Sequence, residues 1–227
     1  MKKRVTLLLF IILIMGTGVS FIHAKGHKNI SQEDLRLRGK TIVIDPGHGG
    51  GDRGTKGKKF GTIEKDLNLK VAQNIKKELE ERTDAKVILT REKDTSLLPE
   101  TKQKEELQAR VKVAKDHSAD LYISIHHDAF EDIKVKGITT HYGANKRKDK
   151  KLAKIVQEAI FDQNIDNRDR GIHGSDFFVL RENLSPAILI ELGFTSNASD
   201  EKRMNSEEFQ EKSKKGIVDG IINYFTM

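Results

Sequence analysis

From Lys40 onward the apolar positions of the chain follow two alternating rhythms. Short β-branched runs, TIVID (41–45), KVILT (86–90), LYISIH (121–126), GITTHY (137–142), FFVL (177–180) and AILIEL (187–192), predict six strands. Longer amphipathic stretches lie between them. Leu67, Val71, Ile75 and Leu79 recur every fourth position and lay one apolar stripe along a helix over 64–82. Leu107, Val111 and Ala114 mark a second helix; Leu152, Ile155, Val156, Ala159 and Ile160 a third; Phe209, Ile217, Ile221 and Phe225 a closing one. Apolar strands separated by helices predict an α/β fold: a single domain with a twisted, mostly parallel sheet of about six strands flanked by helices. No internal repeat or second domain is visible, and three prolines leave no rigid Pro-rich linker.

The first residues break this pattern. MKKRVTLLLFIILIMGTGVSFIHAKG opens on Lys2, Lys3 and Arg4, runs apolar from Val5 to Met15, then passes through small residues to Ile22-His23-Ala24. A basic start, an apolar stretch and a small-residue exit are the layout of a secretory signal peptide. An uncleaved anchor is the alternative, although Val5 to Ile22 is marginal for a span that wants about 20 residues. Both readings place the body of the protein outside the membrane, either secreted, in the wall or on the outer face. Membrane contact is then expected only through this segment. The chain divides into a signal peptide or anchor (1–24), a polar linker (25–39) and a folded domain (40–227).

Composition narrows the chemistry. Cysteine is absent, which excludes disulfides, thiolate metal sites and a cysteine nucleophile. Residues 1–24 carry three basic residues and no acid, so of the net charge of +7 a balance of +4 belongs to the rest. That mild excess suits an anionic wall or membrane surface. No aromatic-interleaved basic stripe accompanies it, so no nucleic-acid partner is expected.

In open sheets of this kind ligands sit beyond the carboxyl ends of the strands. Four polar features pass that filter: DPGHGG after the first strand, Arg91 after the second, His126–His127 at the third, and Glu191 in AILIEL. Consecutive strand side chains point to opposite faces, so at most one of His126 and His127 takes a direct part. His48 stands in a tight Gly/Pro loop that lacks both the Walker and the GxGxxG pattern, and by itself reads as an ordinary loop histidine. Glu64 opens the long helix, where the helix dipole alone favours an acid. Glu191 is ringed by Ile188, Leu189, Ile190 and Leu192; unless it escapes to solvent, such a carboxylate needs a partner or a raised pKa, the profile of a general acid or base. Two histidines, one carboxylate and a separate glutamate suit a zinc site whose fourth position is left to water.

IDPGHGG, EKDLNL, LTREKD, ADLYISIHHDA, FFVLR and PAILIELGFTSN, in this order, closely resemble the zinc-dependent N-acetylmuramoyl-L-alanine amidases of the amidase_3 family. The likeness runs from about Lys40 to Phe225. It implies Zn2+ held by His48, Glu64 and His126, with Glu191 catalytic, in an enzyme that cleaves the amide between N-acetylmuramic acid and L-alanine of peptidoglycan. His127 falls on a variable position, and Asp128 stands where asparagine is more common. His141 and His173 match no ligand position and read as wall or surface residues. Some members insert a helix that occludes the zinc between the third ligand and the catalytic glutamate. Here strands and one helix already fill that interval, so an open site is expected. A monomer acting on peptidoglycan is expected. The alternatives are a non-catalytic wall-binding or regulatory relative, and a zinc peptidase or deacetylase acting on the same polymer.

Overall fold

The computed structural model describes residues 37–98 and 102–226. Six strands form one sheet: β1 (Thr41–Pro46), β2 (Lys86–Leu89), β3 (Leu121–Asp128), β4 (Ile138–Gly143), β5 (Asp169–Ser175) and β6 (Ala187–Phe194). The helices are α1 (Glu64–Arg82), α2 (Gln103–Asp116), α3 (Arg147–Phe161), α4 (Phe178–Arg181), α5 (Ala198–Met204) and α6 (Glu207–Thr226). The spatial order is β2-β1-β3-β6-β4-β5. All neighbours are parallel except β4, which runs antiparallel to β6. The expected α/β architecture is thus realised, with the single antiparallel pairing near one edge.

Strand alternation divides the side chains between two unequal faces. Ile42, Ile44, Ile123, Ile125, Ile188 and Ile190 pack into the main core with α1, α3 and α6. Val43, Tyr122 and Leu189 face the other way and share a smaller cluster with Ala114 of α2 and with Val179 and Leu180 of α4. Asp45, Ser124, His126 and Glu191 continue the alternation on that second, thinner side.

Three sequence expectations are revised. FFVL is not a strand: Phe178–Arg181 is one helical turn that buries Val179 and Leu180, and a four-residue apolar run cannot separate the two by period. The fifth strand is instead DRGIHGS, an edge strand mostly open to solvent whose polar and glycine residues carry no apolar alternation. Leu37, inside the expected 25–39 linker, is fully buried in the main core, so the packed unit begins before Lys40. The expected signal peptide or anchor lies outside the described residues. Among those described, no helix is long and apolar enough to cross a membrane.

The main face depends on a close helix crossing. On α6, Gly216 and Gly220 let the backbone of α3 approach: a Cβ at Gly216 would lie 2.5 Å from Ile160 Cα, and one at Gly220 2.7 Å from Val156 Cα. Both distances are below any real contact, and both obstacles are main chain. Gly216→Ala is therefore expected to lower stability by about 1–3 kcal/mol, the usual cost of overpacking, despite alanine's better helix propensity. Denaturant melts of the two proteins check this; an unchanged or raised midpoint contradicts it.

Candidate metal centre

β1 ends on Pro46, and the next three residues turn sharply away from the sheet. His48 adopts φ 61°, a left-handed conformation that is strained for a residue with a Cβ. Two buried arginines hold this loop by its carbonyls. Arg91 donates to Pro46 O (3.0 Å) and Gly47 O (2.9 Å), and Arg110 donates to Pro46 O (3.0 Å) and His48 O (2.7 Å). Arg110 is itself neutralised by Asp45, 2.7 Å away, in a pair 4% and 1% exposed. Asp45 also accepts from Thr90 (2.6 Å), Tyr122 (2.7 Å) and Ser124 (2.9 Å). Burial alone would raise the Asp45 pKa, but Arg110 and the hydroxyls of Thr90 and Tyr122 hold it down at about 2. Gly47 is needed for another reason: a Cβ there would lie 2.1 Å from the His126 ring.

So fixed, the loop aims His48 at the first residue of α1. His48 Nε2 lies 3.1 Å from Glu64 Oε1, and His126 Nδ1 lies 3.0 Å from the same oxygen. The two rings stand edge to face, 5.0 Å apart. Donor atoms of His48, Glu64 and His126 all fall within 4.8 Å of one another. Each is oriented from behind. Asp52 accepts from His48 Nδ1 at 2.8 Å, which turns Nε2 toward Glu64 and the centre of the cluster. Glu64 Oε2 accepts from Thr55 N (2.8 Å), and Oε1 from His127 N and Asn68 Nδ2 (both 3.3 Å). Burial pushes the Glu64 pKa up, but hydrogen bonds and charge from His126 and His48 outweigh it and hold the carboxyl far below its ordinary range. The His48 pKa is raised: burial lowers it, but Glu64 and Asp52 raise it more.

His127 points to the opposite face of β3. Its Nδ1 bonds Asn68 Oδ1 at 2.7 Å, and burial lowers its pKa to about 4, so it stays neutral. Asn68 in turn donates to Gly47 O at 3.2 Å. His127 therefore joins the scaffold and His126 faces the site: strand alternation allows only one of them there, and the family likeness favours His126.

Glu191 pairs with His126 across the β3–β6 ladder and lines the same cavity, of about 260 Å³. Its Oε2 is buried without a hydrogen-bond partner. Burial first, then the charges of Asp128 and Glu64, push its pKa well up. Phe177, Phe178 and Val179 by α4, and Gln103, Glu106 and Leu107 of α2, form the other wall. His141 bonds Ser175 Oγ at 2.7 Å; burial, then His173 and Arg170, lower its pKa to about 4. His173 is exposed, and its Nε2 bonds the Arg170 carbonyl at 2.9 Å.

Two imidazole nitrogens and a carboxylate oxygen on one point are a donor set that fits a borderline divalent ion, zinc first. Sequence reasoning reached the four converging residues and marked the position of Arg91, but missed Asp45, Asp52, Asn68 and Arg110. The one available signal was a charged residue at a core position, Arg110 on the inner stripe of α2.

A histidine–glutamate–histidine cluster at the carboxyl edge of an α/β sheet, with a partnerless carboxylate alongside, is an arrangement of the metallohydrolase kind. The chain belongs to the Amidase_3 family, N-acetylmuramoyl-L-alanine amidase, whose model matches residues 42–223. It is 38% identical to the germination-specific N-acetylmuramoyl-L-alanine amidase of Bacillus subtilis, over 97% of this chain and 93% of that protein. It is 35% identical to the probable cell wall amidase LytH of Staphylococcus aureus, over 86% of this chain and 62% of that one. Among solved structures it resembles an N-acetylmuramoyl-L-alanine amidase of Clostridium difficile 630, with TM-score 0.76 and 38% identity over 82% of this chain and 97% of that one. It also resembles the Clostridioides difficile CwlD amidase, solved in complex with the GerS lipoprotein, with TM-score 0.75 and 35% identity over 82% and 98% of the two chains.

The Asp45–Arg110 pair gives a stability prediction with a definite sign. Asp45→Ala removes the closer and more buried of the two carboxylates on Arg110, leaving it only Glu106 at 3.1 Å, and is expected to cost about 3–5 kcal/mol. A depressed carboxyl pKa contributes stability that is present above its unfolded value, about 3.9, and is lost as pH falls toward about 2. The stability gap between wild type and Asp45→Asn should therefore be widest above pH 4 and narrow on acidification, measured by denaturant melts at stepped pH.

Proposed function

We propose that this protein is a zinc-dependent hydrolase of the bacterial cell wall that cleaves the amide joining N-acetylmuramic acid to L-alanine of the peptidoglycan stem peptide. His48, Glu64 and His126 hold the zinc, and Glu191 carries the proton. The reading rests on the convergence of those three donors beside a buried Glu191 oxygen that no other group satisfies, in a chain of this family.

Zinc, when bound, supplies Lewis acidity: it acidifies a coordinated water and polarises the scissile carbonyl. The side chains do the rest. Asp52 keeps His48 in the tautomer whose Nε2 is a ligand, and Thr55 and Asn68 hold the Glu64 carboxylate in place. Glu191, kept basic by its apolar surroundings and by Asp128 and Glu64, accepts the proton of the attacking water on Oε2. It then returns that proton to the alanine nitrogen as the C–N bond breaks. Neutral His141 can stand in the wall without competing for it.

The basic–apolar amino terminus and the wall-directed names of the relatives favour an exported enzyme acting in the wall. Its partner is the peptidoglycan itself, met as a monomer; a lipoprotein partner is recorded for CwlD. A degenerate, purely wall-binding relative would be expected to have lost a donor or Glu191, and this chain keeps all four.

Digestion of peptidoglycan followed by mass spectrometry should yield stem peptides with a free L-alanine amino terminus, and none when a chelator is present. Cut stem peptides or deacetylated sugars with the muramyl–alanine link intact would overturn the assignment. Glu191→Gln should keep its zinc by elemental analysis and lose about 10²–10⁴-fold in kcat. His48→Ala and His126→Ala should lose the metal itself. A fully active Glu191→Gln removes Glu191 from the mechanism.

A further inference from the structure

The edge of the sheet that carries the metal cluster is not built from strand carboxyl ends alone. Because β4 runs antiparallel to β6, Thr139 near its start pairs with Glu191 near the end of β6. β5 is parallel to β4, with Asp169 opposite Ile138, so β5 also brings its first residues to the site edge. Arg170 is the second of them. Its side chain crosses Gly137, where a Cβ would lie 2.9 Å from Arg170 Cγ, and its guanidinium sits over the Phe194 ring at 5.2 Å. Phe194 in turn pairs with Asp128.

Arg170 is half-buried, yet among the described residues its guanidinium has no hydrogen bond and no ion pair. Arg53, Arg147 and Arg168 share that lack, but they are exposed to water. The buried Arg91 and Arg110, and Arg82 and Arg203, which are half-buried like Arg170, all have polar partners. A fork of five donors held against an aromatic ring at the rim of a site is built for a planar anion. On the opposite wall the charges are already matched: Glu106 pairs with Arg110 and Asp52 with His48. The guanidinium that still lacks an ion-pair partner is the one on the β5 side, which is where an anionic portion of the substrate would be held.

We propose that Arg170 is a carboxylate-binding subsite that reads the stem peptide one residue beyond the scissile bond. The inference rests on the amidase reading above. In a stem peptide L-alanine is followed by D-glutamate linked through its side-chain carboxyl, so the α-carboxyl of that residue hangs free or is capped as an amide. Arg170 takes the free carboxylate, places the peptide on the β4–β5 side of the metal cluster, and leaves the α2–α4 cavity to the uncharged sugar. The chain is thereby selective for D-isoglutamate over D-isoglutamine stems.

Two measurements test this on the zinc-loaded protein. The first compares kcat/KM on muropeptides that differ only in that α-carboxyl, free or amidated. Wild type should favour the free acid, and Arg170→Gln should shrink the ratio roughly 10- to 100-fold toward unity, the worth of one or two charge-assisted hydrogen bonds. Arg170→Lys should recover part of the preference. No preference in wild type, a ratio unchanged in Arg170→Gln, or equal loss in the Gln and Lys variants overturns the proposal. The second titrates L-alanyl-D-glutamate with its γ-carboxyl blocked as the methylamide, and the same compound with its α-carboxyl also amidated, into wild type and Arg170→Gln, followed by NMR. Wild type should bind the acid more tightly, and the variant should not discriminate; any other pattern overturns the proposal. If neither muropeptide is cleaved by wild type, the amidase reading fails while the titration still decides the role of Arg170.

Discussion

Two buried guanidiniums gripping three consecutive carbonyls are the constraint on which the rest of this structure depends. The carbonyls of Pro46, Gly47 and His48 are what Arg91 and Arg110 hold, and His48 sits at a backbone angle it would not adopt unaided. Strain of that sort costs on the order of 1–3 kcal/mol and persists only when its surroundings over-determine it. The surroundings here are ionic. Asp45 balances Arg110, and three hydroxyls complete the Asp45 shell, while the buried Arg91 is satisfied by four bonds to main-chain carbonyls. The histidine–glutamate cluster is therefore only as rigid as a salt bridge at the carboxyl end of β1.

A second constraint is the two-residue period of β3. It sends His126 to the thin face with Glu191, and His127 to the thick face with α1, where Asn68 ties it to Gly47 and Glu64. One dipeptide so supplies both a site residue and a brace for its neighbours. The asymmetry of the faces matters equally. The α1–α3–α6 side carries most of the apolar core and secures the fold, while the α2–α4 side tolerates the polar row from Asp45 to Glu191 because Arg110 and hydroxyls satisfy its buried end and a cavity opens at the other.

These two constraints set what could be read from the sequence alone. The central strands and α1 were plain because their apolar patterns are strong and local. The carboxyl-end rule reached the positions of His48, His126 and Glu191, and the ordered motifs, through the family likeness, added Glu64 and chose His126 over His127. What was not legible is non-local or weakly patterned. Asp45 and Arg110 are a strand residue and a helix residue joined only by folding, and nothing near either predicts the pair. β5 is a polar edge strand with two glycines, and FFVL is a buried helical turn with a strand's composition. Arg170 escaped for a subtler reason: the rule looks to carboxyl ends, and the reversal of β4 brings amino ends to the same edge.

The segment between His48 and Glu64 shows how far from the site its rigidity is secured. Two members of the cluster flank a glycine-rich excursion that would otherwise carry high loop entropy. Short bridges at Gly49–Asp52 and Lys56–Ile63 narrow it. Its tip is stapled by Glu201 of α5, whose fully buried carboxylate accepts from the N–H groups of Lys59, Phe60 and Thr62. Gly57 lies so close that a Cβ would fall 1.7 Å from Glu201 Oε1. Three backbone donors satisfied by one charge are a tight anchor, and charge-assisted bonds of this sort are about twice as strong as neutral ones. Thr55, whose N–H orients Glu64, is tied in turn to Thr195 at 2.8 Å. The end of β6 and the helix after it thus hold the approach to Glu64 from behind, while the two arginines hold His48 from below. A site assembled from one loop, one helix start and one strand end can be precise only if each is fixed by a different part of the chain, and here each of them is.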